Sequence, residues 1–497
     1  MKIKFLTFAV FFVSSVCMAS GLEEFSRLSE EKSLEGSEIS AYVPSQKMLF
    51  STTGECGLTA ISLAEPAHPK ILFTKKFRGE VPSISSYKNW LAVAEMAVPA
   101  TSSGSIHLYE VSGDTLKLLK TFQTGAHPDM VAFSPIGTEI LVACEGEIDE
   151  ETKVDPEGSI GLIDLSKGIE KANSAVLRFD AFDSLSLSRK GVRLGGLGSY
   201  LQNIEPEYAA FSKDGKWGFV SLQENNAIAK IDVQLKKIAD VFALGAVDHA
   251  LPGNAFDFRK DKKISLENAP VLGLRQPDGV ATYENKGKTY VFTADEGAER
   301  EFSFYSDVAS AKDLLAKGFL DSSVFTSRLI KKLGDLPLDA SKPCDQVPCK
   351  SAYTFGGRTM SVFDGESGKL VWTSGSKIEE YVAKVKPEIF NQNSKKEKPK
   401  MDSRSDKKGP EPENVLIQNI GNKTFAFLGL ERTSGIVVFE VISPENSKIL
   451  GFFANPKDRG PEGLLFIEAK DSPLPGIPLL IVSYEYSKTL VIYKVLS

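Results

Sequence analysis

At 497 residues the chain is long enough for two or three domains or for one large repeat architecture. Its 42% hydrophobic and 25% charged residues are ordinary for a globular protein, and a net charge of -6 gives no support to nucleic-acid binding, which favours basic surfaces. Four scattered histidines argue against a histidine-rich transition-metal site.

Lys2 and Lys4 precede an uncharged apolar run from Phe5 to Val16, and Cys17-Met18-Ala19 offers small residues for cleavage. A secretory signal peptide over 1–19 is expected, with a mature protein beginning near Ser20. The run is shorter than the roughly 20 residues a spanning helix needs, so a retained anchor is the weaker reading. A lipoprotein is weaker still, because Val16 stands where a small residue should precede the lipidated cysteine. No later stretch is apolar enough to span a bilayer.

Strand-like runs rich in Val, Ile, Phe and Tyr, punctuated by Gly, Asn, Asp and Pro, fill nearly all of the remaining chain. Four runs recur per unit: MVAFS, EILVACE, GSIGLIDL and AVLRFDAF, then YAAFS, WGFVSLQE, AIAKIDV and IADVFAL. Four antiparallel strands per repeated unit is the sequence pattern of a β-propeller blade, as in WD40- or YVTN-type repeats. First strands open at Glu38, Ser83, Asp129, Glu207, Asp278, Glu413 and Glu462. The expectation is therefore an all-β fold, a seven-bladed β-propeller of four-stranded antiparallel blades forming a single domain over 20–497. The last unit ends on TLVIYKV without a fourth strand, and Glu24 to Leu28 is placed as the missing outer strand that closes the ring.

Irregular spacing marks insertions. SLSLSRKGVRLGGLGSYLQN and DHALPGNAFDFRKDKKI read as loops on either side of the fourth unit, and about 298–351 separates the second and third strands of the fifth. Within that insertion Ser306 to Phe319 has the spacing of a short amphipathic helix, either a lid or a packed decoration. KKEKPKMDSRSDKK, with seven positive and three negative residues, reads as a solvated loop. Cys344 and Cys349 flank four residues of a proline-bearing loop, and in an exported chain a local disulfide is expected; a metal site would need two further ligands not found nearby. Cys56 and Cys144 follow strands in different repeats and read as free or buried thiols.

The chemistry is suggested by acids. An acidic residue, usually after a proline, opens the first strand of a unit, and a glutamate ends the second strand: Asp129 and Glu145, Glu207 and Glu224, Asp278 and Glu296, Glu413 and Glu431, Glu462 and Glu485. Ser83 and Glu95 form a fainter pair, and Glu38 lacks a second acid. In a propeller both positions fall at one mouth of the central channel. Converging carboxylates repel, so their pKa values rise or cations join them. Oxygen-ligated divalent cations meet this need, calcium most flexibly and magnesium or manganese with stricter geometry. The bland alternative is a ring of salt bridges, since Arg275, Arg404, Arg432 and Arg459 lie within a few residues of these acids and His127 precedes Asp129 by two. Metal beside arginine forks is also how phosphate esters are bound. No HExxH or GxSxG motif occurs, and GESGK at 365–369 reads as a turn rather than a phosphate-binding loop. No catalytic nucleophile or base can be named.

The strings LVACEGEIDEETKVDPEGSIGLIDL, IEPEYAAFSKDGKWGFVSLQENNAIAKIDV, LPGNAFD, RQPDGVATYENKGKTYVFTADEGAER, RSDKKGPEPENV, FLGLERTSGIVVFEV and GPEGLLFIEAKDSP together resemble the choice-of-anchor I family. These are exported propeller proteins related to a mesenchyme-specific cell-surface glycoprotein, and some carry an alkaline phosphatase label. The resemblance spans essentially the whole mature chain and implies an extracytoplasmic propeller whose members differ in their C-terminal tether. Because no sorting signal or apolar helix follows the last strand, a soluble periplasmic or secreted form is expected. Two departures stand out: the family's acidic loop after LPGN has become Asp257-Phe258-Arg259-Lys260-Asp261, and Asn203-Ile204 replaces an Asp before Glu-Pro-Glu.

Two readings of function follow. The first is a binding or scaffold module with a cation-loaded acidic mouth that meets an unknown protein, surface or phosphate-ester ligand. The second is a metal-dependent phosphatase or phosphodiesterase at the same mouth, with Glu145, Glu224, Asp278 and Glu296 on the metal and Arg275 or Arg404 on the phosphate.

Overall fold

A computed structural model describes residues 21–496 apart from 30–33, 35 and 55, so the expected signal peptide over 1–19 lies outside the described residues. Seven four-stranded antiparallel sheets carry the chain. Within most of them the strands follow sequence order, as in Pro128–Phe133, Glu139–Cys144, Ser159–Asp164 and Asn173–Leu177. The burial pattern changes across each sheet in the way a stacked blade demands. In the first blade the second strand, Met48–Thr53, is buried at every position, whereas the outer Lys70–Lys76 alternates exposed and half-buried residues. Strands sandwiched between neighbouring blades must be apolar on both faces, and only the outer edge can afford polar alternation. Tight turns join the strands: Ser134 Oγ accepts from the backbone N–H groups of Thr138 and Glu139, and Gly137 takes a φ of 72° that a side chain would resist.

The inner strands Ser40–Val43, Ile84–Tyr87, Pro128–Phe133, Pro206–Phe211, Val280–Asn285, Pro412–Ile420 and Pro461–Ile467 pack one against the next, and the last returns to the first. The ring is closed, and the fold is a β-propeller. Closure of the seventh blade uses Leu22–Ser29, which pairs antiparallel with Thr489–Val495 from Leu22 against Val495 to Ser29 against Thr489. Arg27 clasps the two ends further by pairing with the buried Asp458.

Two insertions differ from their sequence reading. The stretch expected as a loop after the third blade contains a helix, Ser184–Lys190, whose start is capped by Asp183 accepting from the N–H groups of Leu185 and Ser186. Its Ser- and Gly-rich surroundings hid a helix of about two turns. The expected helix over Ser306 to Phe319 is shorter, Ala311–Ala316, and its cap is Ser310; Tyr305–Ser306 and Val308–Ala309 are instead short strands, and Asp307 is buried against Arg193. The interruption of the fifth blade runs past Ser351, because Ala352–Phe355 leaves the blade to pair in parallel with Val271–Leu274, and the third blade strand is Thr359–Asp364. This satellite sheet has its own core, in which Phe256, Phe258, Leu314, Phe325 and Leu338 are all 3% exposed or less. The helix is thus a packed element of that core. Cys344 and Cys349 are joined in a disulfide, while Cys56 and the buried Cys144 are free thiols. Among the described residues no helix is long and apolar enough to cross a membrane.

Candidate functional site

Five blades share one way of presenting their first acid. A residue, a proline and the acid form the inner-strand start: His127-Pro128-Asp129, Glu205-Pro206-Glu207, Gln276-Pro277-Asp278, Glu411-Pro412-Glu413 and Gly460-Pro461-Glu462. Four of the residues before proline have positive φ, at 51° for His127, 43° for Gln276, 54° for Glu411 and 69° for Gly460. For the three that are not glycine this is a strained conformation, held because the surrounding sheet fixes it. The strand register slips immediately after the proline, between Pro128 and Met130, Pro206 and Ala209, Pro412 and Val415, and Pro461 and Leu464. Each slip is a bulge at the acid, and a bulge re-aims a side chain out of the regular alternation.

The second acid is tied to the same turn. The N–H groups of Glu145, Glu431 and Glu485 donate to the carbonyls of His127, Glu411 and Gly460 at 2.9, 2.8 and 2.9 Å. This hydrogen bond sets the two acids of a blade side by side.

Carboxylates from adjacent blades then meet. Oxygens of Asp129, Glu145 and Glu207 lie within 4.8 Å of one another, as do those of Asp278, Glu296 and Glu413, of Glu296, Glu411 and Glu431, and of Glu431, Glu462 and Glu485. The first two groups repeat one arrangement: both acids of a blade plus the first acid of the next. His127 adds to the first, with Nε2 3.3 Å from Glu145 and Nδ1 3.7 Å from Glu147.

These groups differ in their counter-charges. Lys408 Nζ lies 2.5 Å from Glu296 and 3.4 Å from Glu411, Arg404 Nη2 is 2.6 Å from Glu411, and Arg432 Nε is 3.2 Å from Glu411 and 3.1 Å from Glu431. Tyr486 also donates its hydroxyl to Glu431 and accepts from Arg432. Three bases therefore face the three acids of the sixth-blade sector. The group of Asp129, Glu145 and Glu207 has no lysine or arginine partner among the described residues, and Oε2 of the buried Glu413 accepts no hydrogen bond.

Ionisation follows this division. Burial, opposed by His127, pushes Asp129 up to about 6. Burial and the surrounding carboxylates raise Glu145, Glu207, Glu413 and Glu462 well above the usual range. Burial with Glu296 nearby takes Asp278 to about 8. Burial likewise holds Glu431 at about 7, with Glu411 adding to it and Arg432 opposing. Burial also acts on Glu411, but Lys408, Arg404 and Arg432 override it and draw its carboxyl down to about 2. Lys408 is raised despite burial, because Glu296 and Glu411 favour its charged form.

Not every expected residue belongs to one of these close carboxylate groups. Glu224 stands beside Glu205 and Arg300 and is pushed to about 7, mainly by burial and Glu205; Arg300 is bound to Glu205 at 2.5 Å. Glu95 faces elsewhere, accepting from the N–H groups of Arg78 and Gly79 and contacting His107 Nε2 at 2.5 Å. Arg275 is 2% exposed, 3.9 Å from Asp295, and over the Phe363 ring. Arg459 donates to the carbonyls of Ser394, Lys396 and Tyr486.

Sequence reasoning missed Lys408, Glu411, Glu205 and Arg300. The two glutamates were visible as the first members of the Glu-Pro-Glu pair at 205–207 and 411–413. Lys408 sits, half-buried, at the end of the stretch read as a solvated loop, where its neighbours Asp402, Ser405 and Asp406 are buried. That reading is corrected: the loop's last turn inserts into the mouth.

The choice-of-anchor I domain matches residues 38–444, and the chain belongs to that family. It is 27% identical over 204 residues to the mesenchyme-specific cell surface glycoprotein of Strongylocentrotus purpuratus, covering 34% of this chain and 26% of that protein. It is 29% identical over 163 residues to Gigasin-3a of Magallana gigas, covering 29% of this chain and 57% of that protein. The chain thus spans about a quarter and just over half of these two relatives. Among solved structures it is similar to Kuenenia stuttgartiensis hydrazine synthase (TM-score 0.48, 10% identity, 94% of this chain and 97% of that one). A Myceliophteria thermophila Cps50 (Swd1) β-propeller domain gives a TM-score of 0.47 at 9% identity, over 95% and 99% of the two chains.

Proposed function

We propose that this chain is an exported binding or scaffold module whose acidic channel mouth takes divalent cations, calcium foremost, and offers that loaded face to a partner. The observation that carries the reading is the unequal supply of bases. Among the described residues Asp129, Glu145 and Glu207 meet within 4.8 Å with only His127 as a basic neighbour, whereas the sixth-blade acids have Lys408, Arg404 and Arg432. Clustered buried carboxylates remain ionised only if a cation joins them, and calcium accepts six to eight oxygens in flexible geometry. The unpartnered Glu413 oxygen supports a second ion at Asp278, Glu296 and Glu413. Export is supported by the residues at 1–19 and by family membership alongside a cell-surface glycoprotein. The hydrolase reading draws little support from the arginines, since Arg404 and Arg432 are engaged with Glu411 and Arg275 is buried beside Asp295.

The test is thermal unfolding of the mature protein in calcium and in chelator, with elemental analysis of the purified sample. Stabilisation by calcium that chelator reverses is expected. An unchanged melting temperature would remove the cation reading.

A further inference from the structure

The far end of the channel differs from the mouth in charge. Inner strands start at the mouth and second strands return to it, so the hairpins that join them lie together on the opposite face. Lys47, Lys88, Lys213 and Lys286 stand in the hairpins of the first, second, fourth and fifth blades, all exposed and, among the described residues, without an ion pair. The Lys88 ammonium rests 5.1 Å from the centroid of its neighbour Tyr87. Other lysines there are engaged: Lys216 with Asp214, Lys423 with Glu440, Lys470 with Glu468 and Asp471, and Lys288 acts on Asp364.

The turns themselves do not call for these lysines. Hairpins of the third, fourth and sixth blades pass through the left-handed region at Gly137, Gly215 and Gly421, with φ of 72°, 71° and 63°. Those of the first, second and fifth do so at Lys47, Lys88 and Lys286, with φ of 46°, 55° and 51°. That region suits glycine or asparagine and strains a lysine. Local preference is set aside at three tips, each time for an exposed charge, and such conflicts are expected where a surface has a task.

Apolar side chains stand on the same face. Ile136, Leu235, Leu370 and Ile442, at turns or strand ends on this side of their blades, are 46% to 62% exposed. The outer hairpins are mixed in sign, with Glu65, Asp114, Glu170, Glu366 and Glu445 among their lysines, so the excess positive charge is gathered around the channel.

Unpaired lysines spread around a broad face, with apolar tips among them, fit a planar partner that is anionic at its surface and apolar just beneath. We propose that this face adsorbs to the headgroup layer of a bilayer containing anionic lipid, with the acidic mouth turned to the opposite side. Lysine is drawn by the negative potential of such a surface, and apolar side chains enter the headgroup boundary. A hydrophilic polyanion would use the lysines but not the apolar tips. The proposal is independent of the cation reading.

The test is co-sedimentation of the mature full chain with vesicles of phosphatidylglycerol and phosphatidylcholine, and with vesicles of phosphatidylcholine alone. Chelator is present throughout, so that no calcium bridges the acidic mouth to lipid. Binding to the anionic vesicles that weakens as salt rises is expected, with none to the neutral ones. Lys47→Asn combined with Lys88→Asn and Lys286→Asn should weaken that binding about a hundredfold, while the melting temperature is no lower than the parent's, because asparagine tolerates the left-handed turn. Lys47→Arg with Lys88→Arg and Lys286→Arg should retain the binding. Equal binding to both vesicles, or to neither, overturns the proposal, as does a triple asparagine variant that binds like the parent. Retention on dextran sulfate without vesicle binding assigns the face to a soluble polyanion and overturns it too.

Discussion

Lys408 donates through Nζ to Oε1 of Glu296 at 2.5 Å and to the carbonyl of Gly297 at 2.6 Å, so a base from the loop before the sixth blade sits on an acid supplied by the fifth. This contact divides the mouth into a sector that carries its own positive charge and a sector that does not. The same blade geometry thus supports two solutions to carboxylate crowding.

Replacing Lys408 with Met should cost about 3–5 kcal/mol, because a buried ion pair stripped of one partner leaves uncompensated charge on Glu296 and Glu411. Urea unfolding in chelator measures it. Added calcium should restore part of the loss, since Glu296 also belongs to the group with Asp278 and Glu413. A variant as stable as the parent would show that the pair contributes nothing.

Calcium at a hundredfold its dissociation constant should stabilise the parent by about 2.7 kcal/mol for each independent site. Asp129→Asn combined with Glu207→Gln should abolish one site's share of that gain. In chelator the double variant should be no less stable than the parent, because repulsion among Asp129, Glu145 and Glu207 is relieved. A destabilised variant with an undiminished calcium response would point to a structural role for these acids.

The metal-free protein should lose stability as pH rises. Burial and neighbouring carboxylates hold Asp278 and Glu38 at about 8 in the fold, and Glu224 and Glu431 at about 7. Unfolded carboxyls titrate near 4, so between about pH 4 and pH 8 the folded state binds more protons and the unfolding free energy falls with pH. Glu411, drawn to about 2, acts oppositely, contributing stability above the ordinary carboxyl range that disappears as pH falls towards 2. Unfolding free energies at pH 5.5 and pH 8.5 in chelator give the sign, and calcium should flatten the slope by holding the carboxylates ionised.

Removing residues 22–29 should cost about 4 kcal/mol, since Leu22 is buried, Phe25 and Leu28 pack on the core, and each buried apolar side chain contributes roughly 1.5–3 kcal/mol. The exposed edge of Thr489–Val495 should also promote self-association, which light scattering detects. Unchanged unfolding of the truncated protein would mean the strand is dispensable.

Local repetition made much of this legible. Turn residues and largely apolar second strands announce each blade, and proline-acid pairs at 128–129, 206–207, 412–413 and 461–462 mark the inner-strand starts that the structure shows. The satellite sheet was not legible, because its parallel pairing of Val271–Leu274 with Ala352–Phe355 joins segments with no shared pattern. Lys408 was hidden for the opposite reason: its neighbours are so charged that composition points to solvent, while its burial depends on glutamates from the fifth and sixth blades. Arg193, which holds Asp307 and Asp339 in the insertion, carries the same lesson, since each partner is distant in sequence.

The pairing of Leu22–Ser29 with Thr489–Val495 has a kinetic consequence. The contact that completes the ring joins the most widely separated segments of the chain, so the entropy of loop closure is greatest for the step that seals the molecule. Until the last strand emerges, the earliest strand has no partner in its own sheet. Leu22–Ser29 must wait for a partner made far later in the chain, and the near-complete propeller is the species in which unpaired edges are available for misassembly.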